Sequence, residues 1–181
     1  MPVAGLARLR GAARGGYGRR VPATRFITDS SLGSLARWLR FLGHDVVTLP
    51  GARLEDVLAA ARRDDRTVLT LSRRRPRRWA AVSVITVERD VIAALRALAE
   101  RHAPPEPPLG RCGVCNTRLE PRLHVEARGE VPSRVLRAGR ALRYCPGCGK
   151  WYWEGTHARA IRDGLAQALG HPGEPPDTER R

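Results

Sequence analysis

The sequence predicts an α/β fold, a three-layer domain on a mostly parallel sheet, with a small C-terminal zinc ribbon appended. Two observations carry this. Between Arg25 and Leu49 an apolar run, an amphipathic stripe and a β-branched run follow one another, and a strand, helix and strand so closely spaced require parallel pairing. Far downstream, four cysteines stand in two identical pairs, the number and softness of ligand that tetrahedral zinc takes.

The first strand, Phe26-Ile27-Thr28, halts at Asp29. Leu32, Leu35, Ala36, Leu39 and Leu42 then recur at three- and four-residue steps, so a helix follows with Ser34, Arg37 and Arg40 pointing away. Ser30 or Ser31 suits its start and Gly43 its left-handed end. Asp45 to Leu49 reads as the second strand, and Leu54 to Ala61 as a second helix that buries Leu54, Val57, Leu58 and Ala61. Thr67 to Leu71 suits a buried central strand, Val82 to Val87 a fourth strand, and Asp90 to His102 a third helix. The α/β domain spans residues 25–103. In such sheets ligands bind where strands end and helices begin, and Asp29 stands at that point. The same position also suits a plain helix cap.

Formal charge is +15, and Lys150 is the single lysine among 33 basic residues. Forked guanidinium donors suit phosphate, so RNA is the first partner to suspect, although codon bias also enriches arginine. Residues 1–24 hold five arginines and no acid. No apolar core follows them, which argues against a secretory signal; a disordered basic tail is expected there, and another over residues 170–181. No apolar run approaches a membrane span, and the expected location is cytoplasmic. After the third strand comes RRRPRRW, Arg73 to Trp79. It is either a solvated loop or a grip on the phosphate backbone beside Asp29, and its place at a strand end favours the grip.

Residues 104–110 form a proline-rich linker, read as a stiff spacer. Residues 111–169 hold the ribbon and a terminal helix. The gap of two residues in Cys112-x2-Cys115 and Cys145-x2-Cys148 lets both sulfurs of one turn reach a single ion. Two disulfides or a redox dithiol are the alternatives. With four protein ligands the zinc is structural. Trp151-Tyr152-Trp153 alternates across a strand, fit for stacking on bases but better suited to the core of a small metal domain. His157 is improbable as a further ligand, since the four cysteines already fill the metal's positions.

The stretches FITDSSLGSLARWLRFLGHD, TVLTLSR, RCGVCN and CPGCGKWYWEGTH together resemble the Mut-7 C-terminal RNase family, over about Phe26 to Gly164. The resemblance implies a PIN-like fold, a zinc ribbon, and metal-dependent cleavage of RNA by clustered carboxylates holding Mg²⁺ or Mn²⁺. Asp29 matches the family's first acid. Leu54 falls at the second, with Glu55 and Asp56 beside it, and Asp45 is a weaker candidate. Ser72 stands where the third strand of the family ends in an acid. The candidate catalytic positions are therefore Asp29, Glu55, Asp56 and Ser72. Arg37, Arg73, Arg74, Arg75, Arg77 and Arg78 are the candidate RNA contacts. The function expected is a metal-dependent ribonuclease with weakened or lost activity; the alternative is a noncatalytic RNA-binding zinc-ribbon protein.

Overall fold

The computed structural model describes residues 24–74, 79 and 81–170. Four β-branched runs form the strands β1 (Phe26–Asp29), β2 (Val46–Leu49), β3 (Thr67–Thr70) and β4 (Val84–Thr86). All pairings are parallel, in the order β2-β1-β3-β4. Side chains alternate across these strands and sort into two apolar layers. Phe26, Val46 and Leu69 face the helices α1 (Gly33–Leu42) and α3 (Val91–Arg101). Ile27, Val68 and Val84 face α2 (Leu54–Arg63), where Trp79 also packs. The α/β fold and its mostly parallel sheet are thus as the sequence predicts, with three layers.

Strand order locates the binding edge. From β1 the chain steps to one side through α1, then returns past β1 to β3 through α2 on the opposite face. Right-handed crossovers require that change of face. The switch point, where crevices open in such sheets, lies between the C-terminal ends of β1 and β3.

Two local expectations change. Asp29, not Ser30 or Ser31, caps the turn before α1 by accepting the Ser31 N–H at 2.8 Å. Arg40 does not point away: it is 5% exposed. Its guanidinium reaches the Val46 carbonyl and Thr48 hydroxyl of β2 and the carbonyls of Gly113 and Val114, so the long stem is buried while every charge-bearing nitrogen finds an oxygen.

The C-terminal part has a second sheet, antiparallel, of β5 (Glu120–Arg122), β6 (Leu142–Tyr144) and β7 (Trp151–Trp153). A short helix, α4 (Ser133–Arg137), packs Val135 against it. Trp151 and Trp153 pack on Val131, Val135 and Leu142, and Tyr152 lies on the other side against Cys112 and Cys145. The aromatic run is core material, as its alternation suggested. The last helix, α5 (Thr156–Leu169), follows the ribbon in sequence but buries Ile161, Leu165 and Ala168 in the α1/α3 layer.

The proline-rich stretch is folded against α1. The Leu109 N–H donates to the Phe41 carbonyl at 2.7 Å. At Gly43 the backbone is left-handed (φ 106°), and an added Cβ would lie 2.1 Å from the Glu106 carbonyl oxygen. Glycine there both ends the helix and admits the returning chain.

Candidate functional site

The four cysteines come from two turns of the same design. In each, the amide four residues after the first cysteine returns to that cysteine's carbonyl: Asn116 to Cys112 at 3.0 Å and Gly149 to Cys145 at 2.9 Å. Both returning residues are left-handed, at φ 70° and 71°, a conformation that asparagine and glycine tolerate best. Backbone amides then point at sulfur; the Val114 N–H lies 3.4 Å from Cys112 Sγ.

All four sulfurs lie within 4.8 Å of one another. Cys115 and Cys145 are 3.3 Å apart, Cys112 and Cys148 3.6 Å. A disulfide needs about 2 Å, so the cysteines are free thiols here. Thiolates at about 2.3 Å from a tetrahedral zinc lie about 3.8 Å apart. The cluster fits that geometry. Crowding also splits the thiols' proton affinities. Burial and the adjoining Cys115 push Cys145 up to about 12. Burial opposes ionisation of Cys115 as well, but the hydroxyl and amide of Thr117 hold it down at about 6. A divalent cation is what lets several such thiols ionise together.

The first knuckle is tied to the α/β sheet. Arg40 donates to the carbonyls of Gly113 (3.1 Å) and Val114 (2.9 Å), to Val46 O (2.9 Å) and to Thr48 Oγ1 (2.7 Å). Asn116 reaches back from the knuckle: its Oδ1 accepts the Val46 N–H at 3.0 Å and its Nδ2 donates to Asp45 at 2.7 Å. Asp45 also takes Arg66 at 2.7 Å. Burial raises its proton affinity, but the hydrogen bonds from Arg66 and Asn116 and the charges of Arg66 and Arg111 leave it below the usual carboxylate range. With that many donors Asp45 is a structural group, not a member of the strand-end rim. Glu106 joins the same junction through Arg111 at 3.2 Å and Arg118 at 2.5 Å.

At the strand ends, Asp29 continues the α2-facing row of Ile27. The register pairs Phe26 with Thr67 and Ile27 with Val68; carried two residues on, it sets Asp29 beside Thr70. Ser72 lies two residues beyond Thr70, past the end of the strand. Its hydroxyl is turned to the Arg74 carbonyl at 3.3 Å, and its N–H to Thr70 Oγ1 at 3.1 Å. Asp29 Oδ1 accepts both the N–H and, at 2.5 Å, the hydroxyl of Ser31. Glu55 and Asp56 lie exposed in the first turn of α2, where Asp56 accepts the Arg53 N–H at 3.1 Å. Among the described residues the cysteine cluster is the one group of three or more metal-ligating side chains that converges. Mg²⁺ wants several hard oxygens in near-octahedral array, and among the described residues no group of three metal-ligating side chains forms around Asp29.

Arg73 and Arg74 are exposed beyond Ser72; Arg75, Arg77 and Arg78 lie outside the described residues. Arg37 is exposed on α1 alongside Gly113, over the cysteine knuckle. Sequence reasoning passed over Glu88 and Asp90, which follow β4 and line a cleft of about 670 Å³ with Arg73 and Arg89. Asp90 caps α3 through the Ala93 N–H at 2.6 Å. The signal was available: two acids directly after a strand. At about 4.8 Å per strand, however, β4 stands roughly 10 Å from β1. No helix among the described residues is long and apolar enough to cross a membrane.

A parallel three-layer α/β domain carrying a four-cysteine ribbon is the class of protein that this fold and cluster define. Comparison with protein families takes the assignment further: the model of the Mut7-C RNAse domain matches residues 24–165. The match runs through both parts, so the chain belongs to the Mut7-C RNAse domain family. Neither the curated proteins nor the solved structures contain a match to it.

Proposed function

We propose that this protein acts on RNA through a ribonuclease fold whose metal-dependent cleavage is weakened. One observation carries the reading. At the switch point of the sheet, where β1 ends on Asp29, the neighbouring strand leads into Ser72. Family membership supports RNA as the substrate class. A hydroxyl is a neutral, weak partner for a hard cation. Two positions that would share charge as a pair of carboxylates therefore hold one carboxylate and one hydroxyl. Arg73 and Arg74 stand beyond Ser72, placed to hold a phosphate backbone at the same edge.

The ribbon in this reading carries one structural zinc on Cys112, Cys115, Cys145 and Cys148. Four sulfurs close the coordination shell, so the ion orders the chain and leaves no open position for substrate.

The test is hydrolysis of single-stranded RNA with Mn²⁺, comparing wild type with Asp29→Asn. Slow, EDTA-sensitive cleavage that disappears in the variant is expected. The commitment of Asp29 Oδ1 to both donors of Ser31 favours a second reading, a noncatalytic RNA binder. An identical residual rate in the two proteins, with RNA affinity retained, would select it. Rapid cleavage by wild type would overturn the weakened-site reading.

A further inference from the structure

Between the ribbon and the last helix runs a groove of about 650 Å³. Trp151 and Trp153 of β7, with Phe41 and Ile161, are among its aromatic and apolar lining, which Tyr152 joins from the other face of the strand. Six arginines line it against a single acid, Glu154. Glu154 is already paired with Arg162, whose hydrogen bond and charge, with the nearby charges of Arg140 and Arg159, hold its carboxyl below the usual range. Arg111 is likewise committed to Glu106.

The other four arginines are uncommitted. Arg134 comes from α4, Arg140 from the following turn, Arg143 from β6 and Arg159 from α5. Among the described residues none of their guanidinium groups has a hydrogen bond or a close ion pair. Like charges gathered from four elements repel one another and lose by converging unless an anion joins them. Unpaired guanidiniums and aromatic side chains lining one groove match one kind of ligand: a phosphate backbone whose bases are free to stack. Duplex bases show only their edges, so the fit is to unpaired nucleotides.

We propose that this groove is a second RNA contact, gripping phosphates with Arg134, Arg140 and Arg159 and stacking bases on the β7 tryptophans. The proposal rests on the reading of the protein as RNA-directed. It places a nucleotide contact on the ribbon side of the molecule, apart from the strand-end rim and from Arg73 and Arg74. The four-cysteine cluster then holds the wall of a binding groove in addition to ordering its own turns.

The test uses the full chain with zinc and a fluorescently labelled ten-residue oligouridylate, read by anisotropy across a salt series. Arg140→Ala combined with Arg159→Ala is expected to lower the slope of log affinity against log salt by about 1.4, from about 0.7 per neutralised phosphate on a single strand. In parallel, the oligonucleotide is expected to quench tryptophan emission in wild type and to quench less in Trp153→Phe, which keeps a ring in the core. Should the arginine pair disturb folding, judged by circular dichroism and zinc content, the Trp153→Phe quenching decides. An unchanged slope with unchanged quenching overturns the groove while leaving an RNA-binding rim, and would point to a protein occupant instead. Failure of the wild type to bind the oligonucleotide at all overturns this proposal together with the RNA reading.

Discussion

The two parts of the molecule are held by different physics. The α/β part surrounds its sheet with continuous apolar layers, and Phe26, Ile27, Leu39, Val46, Val68 and Leu95 have no solvent exposure. The ribbon has two small clusters, one of Ala127, Val131, Val135 and Leu142, the other of Leu119 with Cys112 and Cys145. Its strands are three residues each. So little apolar surface does not offset the entropy of ordering the turns. A bound ion has to make up the difference, whereas the α/β part stands on burial. The two are then joined by polar groups, Arg40, Asn116, Asp45 and Glu106, and by the apolar face of α5.

The largest effect follows from that contrast. Metal analysis is expected to give one zinc per chain, and chelation or Cys115→Ser to unfold the ribbon, since structural zinc in finger peptides is worth on the order of 10 kcal/mol. The α/β part is expected to keep its helical circular dichroism. A protein that unfolds as a single unit on chelation would break the comparison, by showing that the junction makes the halves one cooperative body.

Arg40 tests the junction itself. Arg40→Ala leaves the carbonyls of Val46, Gly113 and Val114 without their donor, and the expected loss is about 3 kcal/mol, the scale of a buried charged hydrogen-bonding group. Zinc affinity is expected to fall as well, because the first knuckle loses its anchor. Competition with a chromophoric chelator measures it. Unchanged zinc affinity would mean that the knuckle is preformed without the sheet.

These contrasts also explain what was legible beforehand. Periodicity exposed α1, α2 and the succession of strands and helices along the chain because burial on one stripe writes itself into sequence spacing. The paired cysteines were legible because metal chemistry fixes ligand type and gap. Arg40 was misjudged for a physical reason: an arginine beside an apolar stripe has no spacing signal that separates a solvated head from one turned inward to carbonyls on a strand and a distant turn. Asn116 was equally silent, as its role depends on a fold partner 71 positions away, Asp45. At the rim, Asp29 was legible from the strand-to-helix change, but whether Ser72 faces it rests on register, which the sequence does not print.

The α/β part carries its own pH sensitivity. His44 is fully buried against Phe26, with neither ring nitrogen bonded. Burial, and secondarily the nearby His102, depress it to about 4 from 6.5. The folded protein therefore holds it neutral while the unfolded chain protonates it. Its contribution is present in full above about 6.5 and is lost as pH falls toward 4, up to about 3 kcal/mol in all. Urea unfolding at pH 7 and pH 5 is expected to show a lower midpoint at pH 5, and His44→Leu to narrow that gap. Equal gaps in the two proteins would assign the acid sensitivity to other groups, His102 among them, whose burial also lowers its proton affinity.

The smallest effect separates the two roles open to Asp29. As a cap it needs only an acceptor oxygen toward Ser31. Asparagine supplies one, and ranks with aspartate at helix starts, whereas alanine does not. Asp29→Asn is thus expected to leave stability within a few tenths of a kcal/mol, and Asp29→Ala to cost about 1 kcal/mol. Cleavage depends on charge, which both substitutions remove. If Asp29 acts on RNA, the two variants lose Mn²⁺-dependent hydrolysis alike while differing in urea midpoint. If it is a cap alone, any residual hydrolysis follows stability, so the asparagine variant behaves as wild type in both assays. The carboxylate oxygen not bonded to Ser31 decides between these outcomes, because it is the atom that asparagine replaces without disturbing the turn.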